Sequence, residues 1–354
     1  MSSNTRKLLL KGNEASVYGA LLAGCECFFG YPITPASEIT NTSAEFFPKL
    51  GRTFLQAESE IAAINMVFGA SAAGRRAMTA SSGLGISLKQ EGISYIATCE
   101  LPAVIIDIMR GGPGLGNIGP EQSDYNQVVK GGGHGSYKCI VLAPNSAQEM
   151  CDFTVEAFEL ADKYRTPVYV LTDSVIGQML ESVSLPDPIG KQSIPTWALA
   201  GTKETRKNMI TSIYLDYDDL EAVNINLQKK YSEIKRKEQR SEEYMTEDAE
   251  LIIVGYGIIS RIAHSAVDVL RAEGLKVGVI RPITLFPFPV DALRGLVDKT
   301  KSFLCVEMSN GQMIDDVRLA TKCSKPVELL NRMGGNVPSL EEITSKCREI
   351  MSRS

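Results

Sequence analysis

Glu26-Cys27-Phe28-Phe29-Gly30-Tyr31-Pro32-Ile33-Thr34-Pro35 decides the fold of the first half of this chain. Its opening residues form a short apolar run stopped by glycine, the pattern of a strand buried on both faces of a parallel sheet. Two prolines then stiffen the turn, and Thr34 holds a hydroxyl beyond the strand's C-terminal end. Outward from this stretch, strands are expected at Arg76–Ala80, Ala103–Met109, Lys138–Leu142 and Val168–Thr172. Helical patterns fall between them at Asn13–Ala23, Ser59–Ala73, Ser87–Thr98 and Ala147–Lys163. Such alternation means βαβ units, hence an α/β fold with helices on both faces of a parallel sheet.

With 354 residues, 44% apolar and 22% charged, the chain has a globular composition and the length of two domains. Thirty-seven basic against 42 acidic residues leave a net charge of −5, a poor footprint for nucleic acid. No apolar run approaches the ~18 residues of a membrane span, and Met1–Ser16 is too polar for a signal peptide. A cytoplasmic location is therefore expected, with no membrane and no nucleic acid among the partners. The eight cysteines contain no C-x-x-C pair and no group of four, so neither an iron–sulfur cluster nor a disulfide is expected here.

Residues 1–183 make the first domain on this reading. Residues 184–249 form a linker with a densely charged helix, in which Leu220, Val223, Leu227, Tyr231 and Ile234 fall on one stripe. Residues 250–354 form a second, smaller α/β domain. It starts with a strand at Leu251–Val254 and continues through a helix at Ser260–Glu273, a strand at Lys276–Ile280, a helix at Val290–Lys299 and a strand at Ser302–Val306.

Several tempting motifs fail. Gly114-x-Gly116-x-x-Gly119 matches a dinucleotide fingerprint, but prolines 113 and 120 bracket it, and the next strand ends without an acid for the ribose. Gly255-Tyr256-Gly257 is half of the same fingerprint and again lacks the acid. Gly190-Lys191-Gln192 lacks the Ser or Thr of a phosphate loop. The two histidines, His134 and His264, are far apart, which disfavours a metal centre or a Ser–His triad. His134 lies in a glycine-rich loop that could bring it to a ligand.

What remains is Thr34 beyond the first strand, Glu60 at the start of a helix rich in small residues, and Arg110 after the apolar strand Ala103–Met109. Ligands bind at the C-terminal edge of open α/β sheets, and an arginine there can grip a carboxylate through its planar fork. The residues alone equally allow a helix-capping acid and a surface arginine.

Tyr31-Pro32-Ile33-Thr34-Pro35, Glu58-Ser59-Glu60, Ser81-Ser82-Gly83, Arg110-Gly111-Gly112-Pro113 and Glu121-Gln122-Ser123-Asp124 together resemble the alpha subunit of 2-oxoacid:ferredoxin oxidoreductases. The resemblance is dense in the first domain and weaker in the second, which it reads as a transketolase-C-terminal-like module. It implies an enzyme that oxidatively decarboxylates a 2-oxoacid on thiamine diphosphate, passing electrons through iron–sulfur clusters to ferredoxin and giving an acyl-CoA. By the resemblance this chain holds the aminopyrimidine half of the cofactor. Glu60 then faces the ring nitrogen N1′, Tyr31, Pro32, Ile33, Ser82 and Gly83 wall the cofactor, and Thr34 and Arg110 hold the substrate carboxylate. No Gly-Asp-Gly occurs in the chain. The resemblance therefore places the diphosphate and Mg²⁺ in a beta subunit, and the clusters in gamma and ferredoxin-like subunits.

The stretch from Met109 to Asn117 is most similar to the branched-chain (3-methyl-2-oxobutanoate) type. A 2-oxoglutarate enzyme should show a second basic residue for the distal carboxylate, for which Lys89 and Lys130 are candidates. A nicotinamide-dependent dehydrogenase and a non-catalytic scaffold of the same fold are the readings from other classes.

Overall fold

The computed structural model describes residues 7–190 and 193–353. The first six residues, where a targeting signal was sought, and Lys191-Gln192 of the failed phosphate loop lie outside them.

The first half runs β1 (Lys7–Lys11), α1 (Gly12–Leu22), β2 (Cys27–Gly30), α2 (Ser37–Lys49), β3 (Thr53–Gln56), α3 (Glu60–Ala72), β4 (Ala77–Ser81), α4 (Leu84–Thr98), β5 (Ala103–Met109), β6 (Ile140–Leu142), α5 (Ala147–Tyr164), β7 (Pro167–Asp173), α6 (Ser174–Gln178) and β8 (Leu180–Ser184). The second half runs α7 (Tyr217–Lys237), β9 (Ser241–Tyr244), β10 (Leu251–Val254), α8 (Ile258–Ala272), β11 (Val277–Pro282), β12 (Thr284–Phe286), α9 (Val290–Val297), β13 (Ser302–Glu307), α10 (Ile314–Ala320), β14 (Val327–Asn331) and α11 (Leu340–Ser352).

Seven strands form the main sheet in the order β12-β6-β7-β5-β4-β2-β3. All its pairings are parallel except that of β12 with β6. Both faces carry helices, so every residue of β2, β4, β5 and β7 is buried, which is why these strands read as unbroken apolar runs. The second sheet has the order β14-β13-β10-β11-β9, with only β9 antiparallel. The architecture is the expected α/β one.

The expected strands are present to within two residues at either end. Five elements of the first half were not anticipated: β1, α2, β3, α6 and β8. β1 and β8 pair with each other as a separate antiparallel ribbon. β3 is a mostly exposed edge strand with no apolar run to mark it. α2 is a largely polar helix. β12 joins the first sheet from a sequence position inside the second α/β segment, a long-range pairing that no local pattern carries. The charged helix is observed as α7, but its apolar stripe is narrower than expected. Leu227, Tyr231 and Ile234 are buried, whereas Leu220 is exposed. Among the described residues, no helix is long and apolar enough to cross a membrane.

Because β2, β4 and β5 are parallel, their C-terminal ends open onto one edge. Gly30, Ser81 and Met109 end these strands, and the turns that follow carry Thr34, Ser82-Gly83 and Arg110. α3, which follows the edge strand β3, begins at Glu60. The topology alone thus gathers the candidate residues at one rim.

Candidate active site

Arg110 reaches across the rim. Its Nη1 donates to the Thr34 carbonyl at 2.9 Å and its Nη2 to the Leu115 carbonyl at 3.0 Å. Its buried Nε has no partner among the described residues. The guanidinium is therefore aimed by main-chain acceptors, with further N–H groups left over. The Thr34 hydroxyl is exposed and lies 3.4 Å from the Ser37 hydroxyl.

Glu60 is the first residue of α3, behind the capping residue Ser59, whose hydroxyl accepts the Ala62 N–H at 3.2 Å. Glu60 is only 6% exposed, while Glu58, two residues earlier, faces solvent. Against it packs the start of α4. A side chain at Gly85 would stand 2.2 Å from Ser81 Oγ and 2.8 Å from Glu60 Oε1, so the backbone of α4 approaches the carboxyl as only glycine allows. Gly83 precedes α4 with φ of +47°, and its missing side chain would lie 3.8 Å from Arg110 Cγ. The Ser81–Gly85 turn thus touches Glu60 at one end and Arg110 at the other. The Ser81 and Ser82 hydroxyls are buried there with no partner among the described residues.

Lys89 lies on the inner side of the same helix. It is fully buried, its Nζ is 3.4 Å from the Glu60 carbonyl, and burial pulls its pKa down to about 8 while Glu60 opposes that shift.

Beside Arg110 opens a cleft of about 880 Å³, lined from the first sheet by residues such as Leu84, Arg110, Pro113 and Asp124, and from the second half by Asn310, Gln312 and Met333. Glu121 fastens its far wall, accepting from the Gly112 N–H at 2.8 Å and the Gly334 N–H at 3.3 Å.

Residues 18–249 match the family model of pyruvate flavodoxin/ferredoxin oxidoreductase, thiamine diphosphate-binding. Residues 249–343 match pyruvate:ferredoxin oxidoreductase core domain II. The chain belongs to the 2-oxoacid:ferredoxin oxidoreductases. It is 60% identical, over 98% of either chain, to the ketoisovalerate oxidoreductase subunit VorB of Methanothermobacter thermautotrophicus. It is 41% identical, over 89% of this chain and 92% of the relative, to the 2-oxoglutarate synthase subunit KorA of Archaeoglobus fulgidus. Among solved structures it superposes on the 2-oxoglutarate:ferredoxin oxidoreductase of Magnetococcus marinus with TM-score 0.89 and 29% identity, covering 97% of this chain and 65% of that one. A split-gene transketolase superposes with TM-score 0.58 at 13% identity, a likeness of fold.

The rim fits the family's thiamine diphosphate. Two orphaned buried hydroxyls, a nearly buried carboxyl and a glycine cradle whose space a Cβ would fill are what a polar heterocycle can occupy and satisfy. Of the sequence-chosen residues of this oxidoreductase subunit, Thr34 and Arg110 are in contact, Ser82 and Gly83 lie in the adjoining turn, and Glu60 opens α3 against Gly85. Tyr31 and Pro32 are exposed and Ile33 half-buried, and none of the three lines the cleft; nor do Thr34, Glu60 or Ser82, which leaves Gly83 and Arg110 as the chosen residues on its wall.

The residues of the rejected motifs have other places in the fold. His134 is exposed, packs edge-on to Tyr95 at 5.9 Å between ring centroids and is not among the cleft residues. His264 stacks on Tyr244 at 4.8 Å. The Gly114–Gly119 segment runs into no helix. It closes on itself through the Gly111 N–H to the Gly119 carbonyl at 3.0 Å, leaving Leu115 and Ile118 exposed. Gly257 instead makes room for Asp173, whose Oδ2 accepts the Ile258 N–H at 2.9 Å. Sequence reasoning missed Asp107, which lies with Asp124 behind the Gly83 turn. The available signal was a lone acid inside an otherwise apolar strand.

Proposed function

We propose that this chain is the alpha subunit of a multi-subunit, thiamine diphosphate-dependent oxidoreductase. In this reading it oxidatively decarboxylates a branched-chain 2-oxoacid, 3-methyl-2-oxobutanoate, with CoA, giving acyl-CoA, CO₂ and reduced ferredoxin. The observation that carries the substrate class is the cleft: Arg110 is the one basic residue among those lining it, beside Leu84, Pro113 and Met333. One guanidinium answers one carboxylate, and Leu84, Pro113 and Met333 offer the apolar contacts a short branched tail needs, among polar neighbours that include Glu121, Asp124 and Gln312. The names of the 60%-identical relatives point the same way.

A 2-oxoglutarate enzyme is the second reading, favoured by the 41%-identical relative. It needs another cation at the substrate tail. Lys130 is ion-paired with Asp316, and Lys89 is buried beneath Glu60, which leaves neither lysine facing the cleft.

When bound, thiamine diphosphate supplies the nucleophilic carbon and the electron sink for decarboxylation. Glu60 holds a proton at N1′ of the aminopyrimidine. Arg110 fixes the substrate carboxylate with N–H groups not already taken by carbonyls, and the Thr34 hydroxyl donates to it. This is orientation and charge stabilisation rather than proton transfer. Tyr31, Pro32, Ile33, Ser82 and Gly83 wall the cofactor. We assign residues 1–183 to the pyrimidine-binding unit, 184–249 to the linker and 250–354 to the second α/β unit.

In this reading a beta subunit brings the diphosphate and Mg²⁺ site, gamma and ferredoxin-like subunits carry the iron–sulfur clusters, and the exposed Leu115 and Ile118 face a partner. The test is a substrate panel on the assembled complex with a low-potential acceptor. Highest kcat/KM on 3-methyl-2-oxobutanoate supports the reading, and preference for 2-oxoglutarate overturns the substrate class. Retention of most activity by Glu60→Gln in that complex overturns the assigned chemistry. Tight thiamine diphosphate binding by the isolated chain, measured by calorimetry, overturns the shared site.

A further inference from the structure

β5 reads Ala103-Val104-Ile105-Ile106-Asp107-Ile108-Met109, with a carboxyl in the middle of a fully buried strand. Asp107 has no exposure, and neither of its oxygens finds a hydrogen-bond donor among the described residues. It is register partner to Ser81 on β4, so it sits beneath the turn that touches Glu60 and Arg110.

The carboxyl that interacts with it belongs to Asp124, which is 6% exposed and lines the cleft. Both Asp124 oxygens are already engaged. Oδ2 accepts the Gly83 N–H at 3.0 Å and Oδ1 accepts from Gln127 Nε2 at 2.7 Å. The other titratable groups facing the pair are Glu121, Tyr169 and Tyr256, none of them cationic. Arg110, just past the end of β5, is turned to the Thr34 and Leu115 carbonyls.

Two carboxylates facing each other inside a protein do not both ionise, and they titrate as a unit. The proton belongs on Asp107, because Asp124 is occupied by N–H donors and Asp107 has none. An Asp107 O–H donating to Asp124 gives a partner to a carboxyl that otherwise has none among the described residues.

We propose that Asp107 and Asp124 share one proton and act as positioning residues, fixing the Ser82–Gly83 turn against the cofactor through the Gly83 N–H. The proposal rests on the reading of that turn as cofactor wall. Burial and the neighbouring Asp124 raise the Asp107 carboxyl well above the ordinary carboxylate range, and burial raises Asp124 to about 6. One proton is therefore held at neutral pH. Loss of it drives the two carboxylates apart and releases the Gly83 N–H.

The test compares Asp107→Asn and Asp107→Leu with the wild type in the assembled complex. Asparagine keeps a neutral donor toward Asp124. It should preserve kcat/KM near neutrality and abolish an alkaline limb present in the wild type. Leucine keeps burial but donates nothing, and should lower kcat/KM about tenfold. Infrared spectra of the thiamine-free complex give a readout independent of turnover: a protonated-carboxyl band present in the wild type and missing from Asp107→Asn. A wild-type pH profile in Asp107→Asn, or an unchanged carboxyl band, overturns the pair. Glu60→Gln measured alongside separates the two readings. If it is active, the site assignment fails whatever Asp107 does; if it is inactive and the Asp107→Asn profile is unchanged, only the pair fails.

Discussion

Arg110 donates to the main-chain carbonyl of Thr34 at 2.9 Å, not to its hydroxyl. The hydroxyl of residue 34, 3.4 Å from that of Ser37, is thus not taken by the guanidinium and can serve a ligand while its backbone holds the guanidinium in place. Orientation costs little at the moment of binding when the donor is already fixed.

Replacement of Arg110 by Ala should remove charge-assisted hydrogen bonds worth about 2–3 kcal/mol, a loss of roughly 30- to 150-fold in kcat/KM for the 2-oxoacid. Lysine should not restore it, because a point ammonium cannot bridge two carbonyls and a carboxylate in one plane. Steady-state kinetics of the assembled complex check this, and full activity in Arg110→Lys would contradict it.

Gly85 and Gly69 make a matched pair. Both lie in helices, where alanine is ordinarily better by up to about 1 kcal/mol. A Cβ at Gly69 meets nothing within 4 Å, whereas at Gly85 it meets Ser81 Oγ at 2.2 Å and Glu60 Oε1 at 2.8 Å. Gly69→Ala should leave activity unchanged and raise Tm. Gly85→Ala should lower Tm and cut kcat at least about tenfold by displacing Glu60. Equal behaviour of the two variants in melting and turnover would remove the argument for a tight cradle.

Lys89 offers a stability test with a defined sign. Its folded pKa is about 8 against 10.5 in the open chain, with burial as the chief cause. The folded state then binds fewer protons than the unfolded one between these values. Stability from this group is full above 10.5 and is lost as pH falls through about 8. Lys89→Met should therefore stabilise the chain at neutral pH by on the order of 2 kcal/mol, a gain that shrinks as pH rises. Chemical denaturation across that range measures it.

Asp173 titrates in the opposite sense. Burial lifts it to about 6, while backbone N–H groups of Ile258 and Ile176 pull it down. The folded state binds more protons than the unfolded one, so its contribution is full below the ordinary value of 3.8 and is lost as pH rises through about 6. Asp173→Asn should flatten the stability profile over that interval. It should also cost about 1–2 kcal/mol overall, because the carboxylate caps helix starts at Ile176 and Ile258 at once.

Strand identity was legible wherever burial on two faces leaves an unbroken apolar run, as in Cys27–Gly30 and Ala103–Met109. The half-exposed Thr53–Gln56 and the distant Thr284–Phe286 carry no such mark. Thr34, Glu60 and Arg110 could be chosen because each follows a strand or opens a helix at a predictable edge. Asp107 was passed over because one acid does not disturb the apolar pattern of its strand.

The sequence by itself determined the fold class, the family and the rim at which Thr34, Glu60 and Arg110 lie, since apolar periodicity and ordered motifs are local properties of the chain. Only the tertiary structure decided that Arg110 is braced by the Thr34 carbonyl, that Lys89 lies under Glu60 and that Asp107 meets Asp124. Those relations join residues from different strands and helices. Their energies depend on burial and on which donors the packing brings within reach, and neither is written in any one segment.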